Sequence, residues 1–241
     1  MKLNLYAYGV CDIGCKKPNN EDMVLLHDKM FRDGKLHLVF DAKKRLVFAV
    51  ADGVGGLNKG EVASELVLTS LRDILEKIPG DLSNEELREV FNTYTSETHA
   101  KLNKDMGSTL VGLFIYNDKL FRFHAGDSRI YRLRRGELER LTVDHSLCES
   151  GGQKDAPSNI ITNSIGGGAS SFIEFAEIPF PFFNNDIYLL SSDGMHDLVS
   201  QEEITKVLSN SKNAAEKLVE LAKKYGGKDN ISVVIINIKE K

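Results

Sequence analysis

Apolar side chains at Leu3, Leu5 and Ala7 alternate with Tyr6 and Tyr8 on the opposite face, which predicts an opening strand. Residues 36–40 and 45–51 predict a β-hairpin across Asp41-Ala42-Lys43-Lys44. The spacing then becomes helical. Val62, Leu66, Val67, Ser70, Leu71, Ile74, Leu75 and Ile78 share one face until Pro79-Gly80 stops the helix. Ser83-Asn84-Glu85-Glu86 is a capping box that opens a second helix, with Leu87, Val90, Phe91 and Tyr94 inward. Strand patterns return at 110–116 and 120–124, joined by Asn117-Asp118-Lys119, and at 130–133 and 138–141, joined across Arg135-Gly136. Residues 146–171 are rich in Gly, Ser and Asn and read as a loop, with one short extended piece at 160–162. Strands follow near 172–178 and 187–191. Two more helices come next, one opened by Ser200 with Glu203 and one over 214–225, and a strand at 231–238 closes the pattern. Runs of strands separated by helix pairs, rather than strict alternation, predict an α+β fold with antiparallel sheets.

Composition narrows the class. A chain of 241 residues corresponds to one or two domains at roughly 150 residues each. With no low-complexity linker and no internal repeat, a single domain over 1–241 is expected. An apolar fraction of 41% with 27% charged residues is globular, and a formal net charge of −4 lacks the footprint of a nucleic-acid binder. The longest apolar runs, such as 46–51 and 233–236, are too short to span a bilayer. Met1-Lys2-Leu3-Asn4 does not open a secretion leader, and three cysteines cannot all pair internally; both features predict a cytoplasmic protein away from membranes.

Several familiar motifs fail. Gly55 and Gly60 have P-loop spacing, but Glu61 stands where the lysine must be, and Asn58 replaces the third glycine of a dinucleotide fingerprint. Cys148 is followed six positions later by Lys154, not the arginine of a thiolate phosphatase loop. Cys11 and Cys15 have no second Cys/His pair with which to form a zinc site, and the six histidines show no metal spacing, so they read as surface or structural residues. Arg129, Arg132, Arg134 and Arg135 read as the solvated face of a hairpin.

Four aspartates share a more telling context. Asp52 ends the apolar stretch Val47-Phe48-Ala49-Val50-Ala51 and precedes Gly53; Asp193 ends Ile187-Tyr188-Leu189-Leu190-Ser191-Ser192 and precedes Gly194. Asp127 lies between two strands in Ala125-Gly126-Asp127-Ser128-Arg129, and Asp229 precedes Asn230 and the last strand. Any one of these is an ordinary turn residue. Together, carboxylates at the ends of buried strands need either basic residues or cations beside them, and a pair of divalent ions fits well. Oxygen-only ligation selects Mg²⁺ or Mn²⁺.

Taken in order, the motifs resemble the metal-dependent protein phosphatase 2C family of serine/threonine phosphatases, in its compact bacterial form. Asn20-Glu21-Asp22, Ala51-Asp52-Gly53-Val54-Gly55-Gly56, Gly107-Ser108-Thr109, Gly126-Asp127-Ser128-Arg129, Leu141-Thr142-Val143-Asp144-His145-Ser146, Ser191-Ser192-Asp193-Gly194 and Lys228-Asp229-Asn230 carry the likeness nearly end to end. The resemblance implies a four-layer α-β-β-α sandwich of two antiparallel sheets flanked by helix pairs. It implies that Asp52 bridges two Mn²⁺ or Mg²⁺ ions, with the Gly53 carbonyl on one and Asp193 and Asp229 on the other. Glu21 and Asp22 act through metal-held water, and Asp127 with Asp193 serves a weaker third ion. A hydroxide held between the two ions attacks phosphorus in line. Asp52, Asp193 and Asp229 are thus the expected catalytic set and Lys17 the expected phosphate-binding residue.

Three positions depart from the family pattern. Lys17 stands where the family has an arginine, which keeps the charge without the bidentate fork. Val54 occupies a position where some members carry a histidine acid, so the leaving oxygen draws its proton from water. The flap segment, 147–158, is short. The expected partners are phosphorylated proteins, targets of a serine/threonine kinase, acted on by a monomer. The alternatives are a degenerate member that binds phosphoproteins or regulates, and a small-molecule phosphatase.

Overall fold

The computed structural model describes residues 3–42, 45–54, 59–102, 105–150, 152 and 160–240. Two six-stranded antiparallel sheets form its centre. In the first, β1 (Leu3–Asp12) lies between β4 (Gly34–Asp41) and β14 (Ile231–Glu240). The sheet continues through β13 (Ile187–Ser191), β9 (Arg129–Arg134) and β10 (Glu137–Arg140). The second has the order β12 (Glu174–Glu177), β8 (Lys119–Ala125), β7 (Leu110–Tyr116), β5 (Leu46–Asp52), β2 (Asp22–Leu26), β3 (Lys29–Phe31). A two-residue pair, β6 (Gly107–Ser108) with β11 (Ile165–Gly166), sits apart.

Leu5, Ala7, Val24, Phe48, Val50, Val111, Leu113, Tyr188, Val234 and Ile236 fill the space between the sheets. On the outer face of the second sheet lie α1 (Gly60–Lys77) and α2 (Asn84–Lys101), burying Val67, Leu71, Leu87, Phe91 and Tyr94 against Phe114 and Phe123. On the first sheet lie the single turn α3 (Asp193–His196), α4 (Gln201–Asn210) and α5 (Ala214–Lys224), packed on Tyr131, Leu189 and Val233. This is the α-β-β-α sandwich the resemblance implies. Asn117 and Asp118, both with positive φ (50° and 60°), make the tight β7–β8 turn. Both expected capping boxes form, at Ser83/Glu86 and at Ser200/Glu203.

The expected hairpin of 36–40 with 45–51 does not form. β4 pairs with β1 in one sheet, whereas β5 pairs with β2 and β7 in the other. The reason lies in burial: β4 has one solvent-facing side and sits at a sheet edge, whereas β5 is buried on both faces and takes a central place. The β2–β3 hairpin was not expected from the pattern. Nor does Val62 join the buried face of α1. It is 43% exposed, because the face turns toward Ala63, Val67 and Leu71. The arginine hairpin is not simply solvated either: Arg129 forks onto buried Asp144 and Arg134 onto buried Asp186.

Candidate metal centre

Antiparallel register gathers the expected residues at one end of the sandwich. Asp22 opens β2 directly across from Asp52 at the end of β5. The end of β13, which leads to Asp193, lies beside the start of β14, which follows Asp229, and the end of β1 also faces the start of β14. Asp127 follows β8, whose end is opposite the start of β7.

Local backbone geometry holds each carboxylate in place. Asp52 has its N–H on the Thr109 hydroxyl (3.2 Å), and its carbonyl accepts from Ser108 Oγ (3.0 Å) and Thr109 N–H (2.8 Å). Gly53 gives its N–H to the Glu21 carbonyl (3.1 Å), and a Cβ there would stand 2.4 Å from the Gly60 carbonyl oxygen, so the start of α1 can press onto this turn. Gly194 is tighter still, with an added Cβ 1.9 Å from the Asn230 carbonyl oxygen. Buried Asn230 accepts from Glu21 N–H (2.8 Å) and donates to the carbonyls of Ile13 and Asn19 (both 3.0 Å), stitching three loops together. Arg32 reaches in from behind to the carbonyls of Asn20, Asp22 and Glu61.

The electrostatics are those of an anionic cluster. Burial, and then repulsion from Asp22, Asp193, Asp127 and Asp229, hold the Asp52 carboxyl well above the usual range. Burial and the charges of Asp127, Asp229, Asp197 and Asp22 do the same to Asp193. Asp22 is pushed up to about 6 chiefly by burial, against the hydrogen bond from Ser192, and Asp127 also rises to about 6 through burial and the charge of Asp144. Glu21 is raised by burial and partly relieved by Lys17. Lys17 forms a 2.7 Å ion pair with Asp229, an attraction that outweighs burial and raises the ammonium's pKa.

Two observations fit this cluster to divalent cations. Asp22 Oδ2 accepts from Ser192 Oγ (2.8 Å), yet Asp22 Oδ1 and Asp193 Oδ1 are buried with no hydrogen-bond partner. A buried carboxylate oxygen without a donor is costly unless a cation meets it. The donors are also all oxygen, which suits Mg²⁺ or Mn²⁺. Among the described residues, no three of these carboxylates offer ligand atoms within 4.8 Å of one another. That spacing suits ions that take few protein ligands and keep water in the rest of their shell.

All the expected site residues, Lys17, Glu21, Asp22, Asp52, Gly53, Asp127, Asp193 and Asp229, therefore border this end. Val54 lies beside them, its N–H on the Gly107 carbonyl (2.9 Å). Gly55, Gly56 and most of the flap segment 147–158 lie outside the described residues. Asp197, whose charge acts on both Asp127 and Asp193, was missed from sequence; its signal is the i, i+4 spacing Asp193-Gly194-Met195-His196-Asp197.

A sandwich of antiparallel sheets with a carboxylate cluster at one end is an architecture suited to holding divalent ions. The sequence profile of the family described as Protein phosphatase 2C matches residues 25–222. The chain is 32% identical to protein phosphatase PhpP of Streptococcus pneumoniae serotype 2 (strain D39 / NCTC 7466), over 95% of this chain and 96% of that protein. Its fold is similar to that of the S. agalactiae serine/threonine phosphatase, with a TM-score of 0.81, 27% identity, and coverage of 98% of this chain and 100% of that one. It is also similar to the catalytic domain of the serine/threonine protein phosphatase PstP in complex with two manganese ions, with a TM-score of 0.75, 31% identity, and coverage of 99% and 100%. The chain belongs to the protein phosphatase 2C family of serine/threonine phosphatases, hydrolases that depend on Mn²⁺ or Mg²⁺.

Proposed function

We propose that this chain, as one catalytic domain over 1–241, hydrolyses phosphoserine and phosphothreonine in proteins. The observation that carries the reading is the convergence of Asp22, Asp52, Asp127, Asp193 and Asp229 with two buried oxygens, Asp22 Oδ1 and Asp193 Oδ1, left without donors. Asp52 and the Gly53 carbonyl, with Asp193 and Asp229, would hold two Mn²⁺ or Mg²⁺ ions. Asp127 with Asp193 would serve a weaker third. Such ions, when bound, ionise a water for in-line attack on phosphorus and offset charge on the phosphoryl oxygens.

The chain's own residues prepare that chemistry. Ser192 donates to Asp22 and in turn accepts the Ser232 N–H (2.9 Å), so Asp22 keeps one fixed orientation. Glu21 and Asp22 orient water at the edge of the cluster. Lys17, anchored on Asp229, places an ammonium where a phosphoryl group would arrive, as a point charge rather than a fork. Val54 has no proton to give, so the departing serine or threonine oxygen takes one from solvent. The chain acts as a cytoplasmic monomer that opposes a serine/threonine kinase. No helix among the described residues is long and apolar enough to cross a membrane.

The test is hydrolysis of p-nitrophenyl phosphate and of a phosphothreonine peptide with Mn²⁺, with EDTA, and with Asp193→Asn. Metal-dependent turnover that is lost in the variant supports the reading. Turnover unchanged in Asp193→Asn overturns it. The Lys17–Asp229 pair favours a second reading, a phosphoprotein-binding module whose lysine is spent on Asp229; folded, Mn²⁺-binding protein without turnover would select it.

A further inference from the structure

Outside the aspartate cluster, one set of ligand-type side chains in the described residues draws close: His124, His145 and Glu174, with ligand atoms within 4.8 Å of one another. His124 Nδ1 is buried without a hydrogen-bond partner, but the hydrogen bonds of His145 leave that ring no lone pair for an ion. Asn163 donates from Nδ2 to the Phe172 carbonyl (3.0 Å) and accepts the Phe172 N–H at Oδ1 (3.1 Å), so its amide orientation is fixed. The same Nδ2 donates to His145 Nδ1 (2.8 Å), and the Gly126 N–H donates to that nitrogen as well (3.2 Å). His145 Nδ1 is therefore an acceptor, its proton sits on Nε2, and Nε2–H points at Glu174 Oε1 (3.4 Å). A nitrogen that carries a proton offers no lone pair to a metal.

The arrangement does something else. Gly126 gives its N–H to the His145 ring and accepts the His145 N–H at its carbonyl (3.0 Å), so one residue fixes the peptide groups on both sides of Gly126. Gly126 has φ 111° and presses on Thr109, where an added Cβ would lie 2.7 Å from that side chain. The next residue is Asp127. The His145 ring lies between those of His124 (4.5 Å) and Phe172 (4.7 Å), and the His145 carbonyl accepts the Thr162 N–H (2.8 Å). Beyond it, Leu147 N–H reaches the Ile160 carbonyl (2.8 Å). The described residues flanking the flap segment thus meet around His145, Asn163 and Phe172, and the same knot holds the turn that presents Asp127.

We infer that His145, kept in its Nε2–H form by Asn163, is a positioning residue that holds Asp127 at the aspartate end and ties it to the chain on both sides of the flap segment. The effect on turnover rests on the role proposed above for Asp127; the tie itself does not.

Asn163→Asp tests this. The new carboxylate keeps an acceptor for the Phe172 N–H but gives no hydrogen to His145, so a proton moves onto Nδ1, whether or not Nε2 keeps its own toward Glu174, and confronts the Gly126 N–H. In metal-free protein, ¹⁵N imidazole spectra should show that move, and the Gly126 amide should exchange about tenfold faster, with the Val111 amide of β7 unchanged. With saturating Mn²⁺, kcat on p-nitrophenyl phosphate should fall about 10- to 100-fold at near-constant KM, the usual cost of removing a partner that orients a metal-site residue. Wild-type exchange and kcat in a variant whose proton has moved would overturn the inference, as would a rise in exchange shared equally by β7. The wild-type spectrum is decisive without any variant, since a proton on His145 Nδ1 there contradicts the tie. If wild-type protein shows no Mn²⁺-dependent hydrolysis, the proposed function fails, while the exchange and imidazole measurements still decide the tie.

Discussion

Two clusters of ligand-type side chains lie near the same end of this sandwich, and they differ in the charge on the buried atoms that find no partner. The aspartates of the strand ends are all acceptors, and two of their buried oxygens meet no donor. His145 and Glu174 sit closer together, yet His145 is satisfied at both ring nitrogens by Asn163, Gly126 and Glu174. Stacked on it, fully buried His124 donates from Nε2 to the Val143 carbonyl (3.0 Å); its Nδ1 also meets no partner, but burial pushes its pKa down to about 4, so the ring stays neutral at physiological pH and that lone pair carries no charge. Proximity of ligand types is thus a poor guide to a metal site. Unmet charge is a better one, because a folded chain tolerates it only where something else completes it.

The contrast breaks first at the aspartates. Asp52→Asn should lower kcat/KM on p-nitrophenyl phosphate with Mn²⁺ by roughly a thousandfold or more, since it removes charge shared by both proposed ions. A loss below tenfold would mean that Asp52 is not between them.

Stability without metal provides the next test. Asp22 and Asp127 carry carboxyls raised to about 6, above their ordinary 3.8, so the folded state binds more protons than the unfolded one between these values. The metal-free protein should therefore be most stable below pH 4 as far as these groups are concerned, and lose stability as pH rises through about 6. Saturating Mn²⁺ should restore the loss at pH 7. Thermal melts with EDTA from pH 4 to 8 check this, and a Tm that climbs through that range would contradict it.

Lys17 should give a smaller effect. Lys17→Ala should raise KM for a phosphothreonine peptide about tenfold with little change in kcat, whereas Lys17→Arg should preserve or lower KM. An unchanged KM in the alanine variant removes Lys17 from the phosphate. The smallest change belongs to the histidine side. Glu174→Gln keeps an acceptor for His145 Nε2–H on a side chain 42% exposed, so Tm should move by no more than about 2 °C and kcat should hold. A large loss of Mn²⁺-dependent activity in that variant would blur the distinction between the clusters.

The parts of this molecule legible from sequence are those set by local periodicity and by short punctuated motifs. Helix α2 is announced by Ser83 and Glu86, and β13 appears with the bounds its apolar run suggests. The Asp-Gly steps at Asp52 and Asp193 mark the carboxylate-rich end because a carboxylate at the mouth of a buried strand is unusual. What escaped notice depends on partners distant in sequence. The 36–51 hairpin was the natural reading of two adjacent strand patterns, but burial of β5 on both faces sends it to the middle of the other sheet. Met23, Val24, Leu25 and Leu26 form too short a run to distinguish from a turn until β5 lies beside them. Ser192, Asn230 and Arg32 reveal their supporting roles only when loops far apart in the chain meet. Asp197 needed the single turn of α3 to reach the charge of Asp127.

The central claim is that the aspartate end holds divalent ions and that the histidine cluster does not. Calorimetric titration of Mn²⁺ into metal-free wild-type protein, Asp193→Asn and Glu174→Gln tests it most directly. The account expects at least two ions per wild-type chain, the same number in Glu174→Gln, and clear weakening or loss of a site in Asp193→Asn. No binding at millimolar Mn²⁺, or binding that survives Asp193→Asn and vanishes with Glu174→Gln, would contradict it.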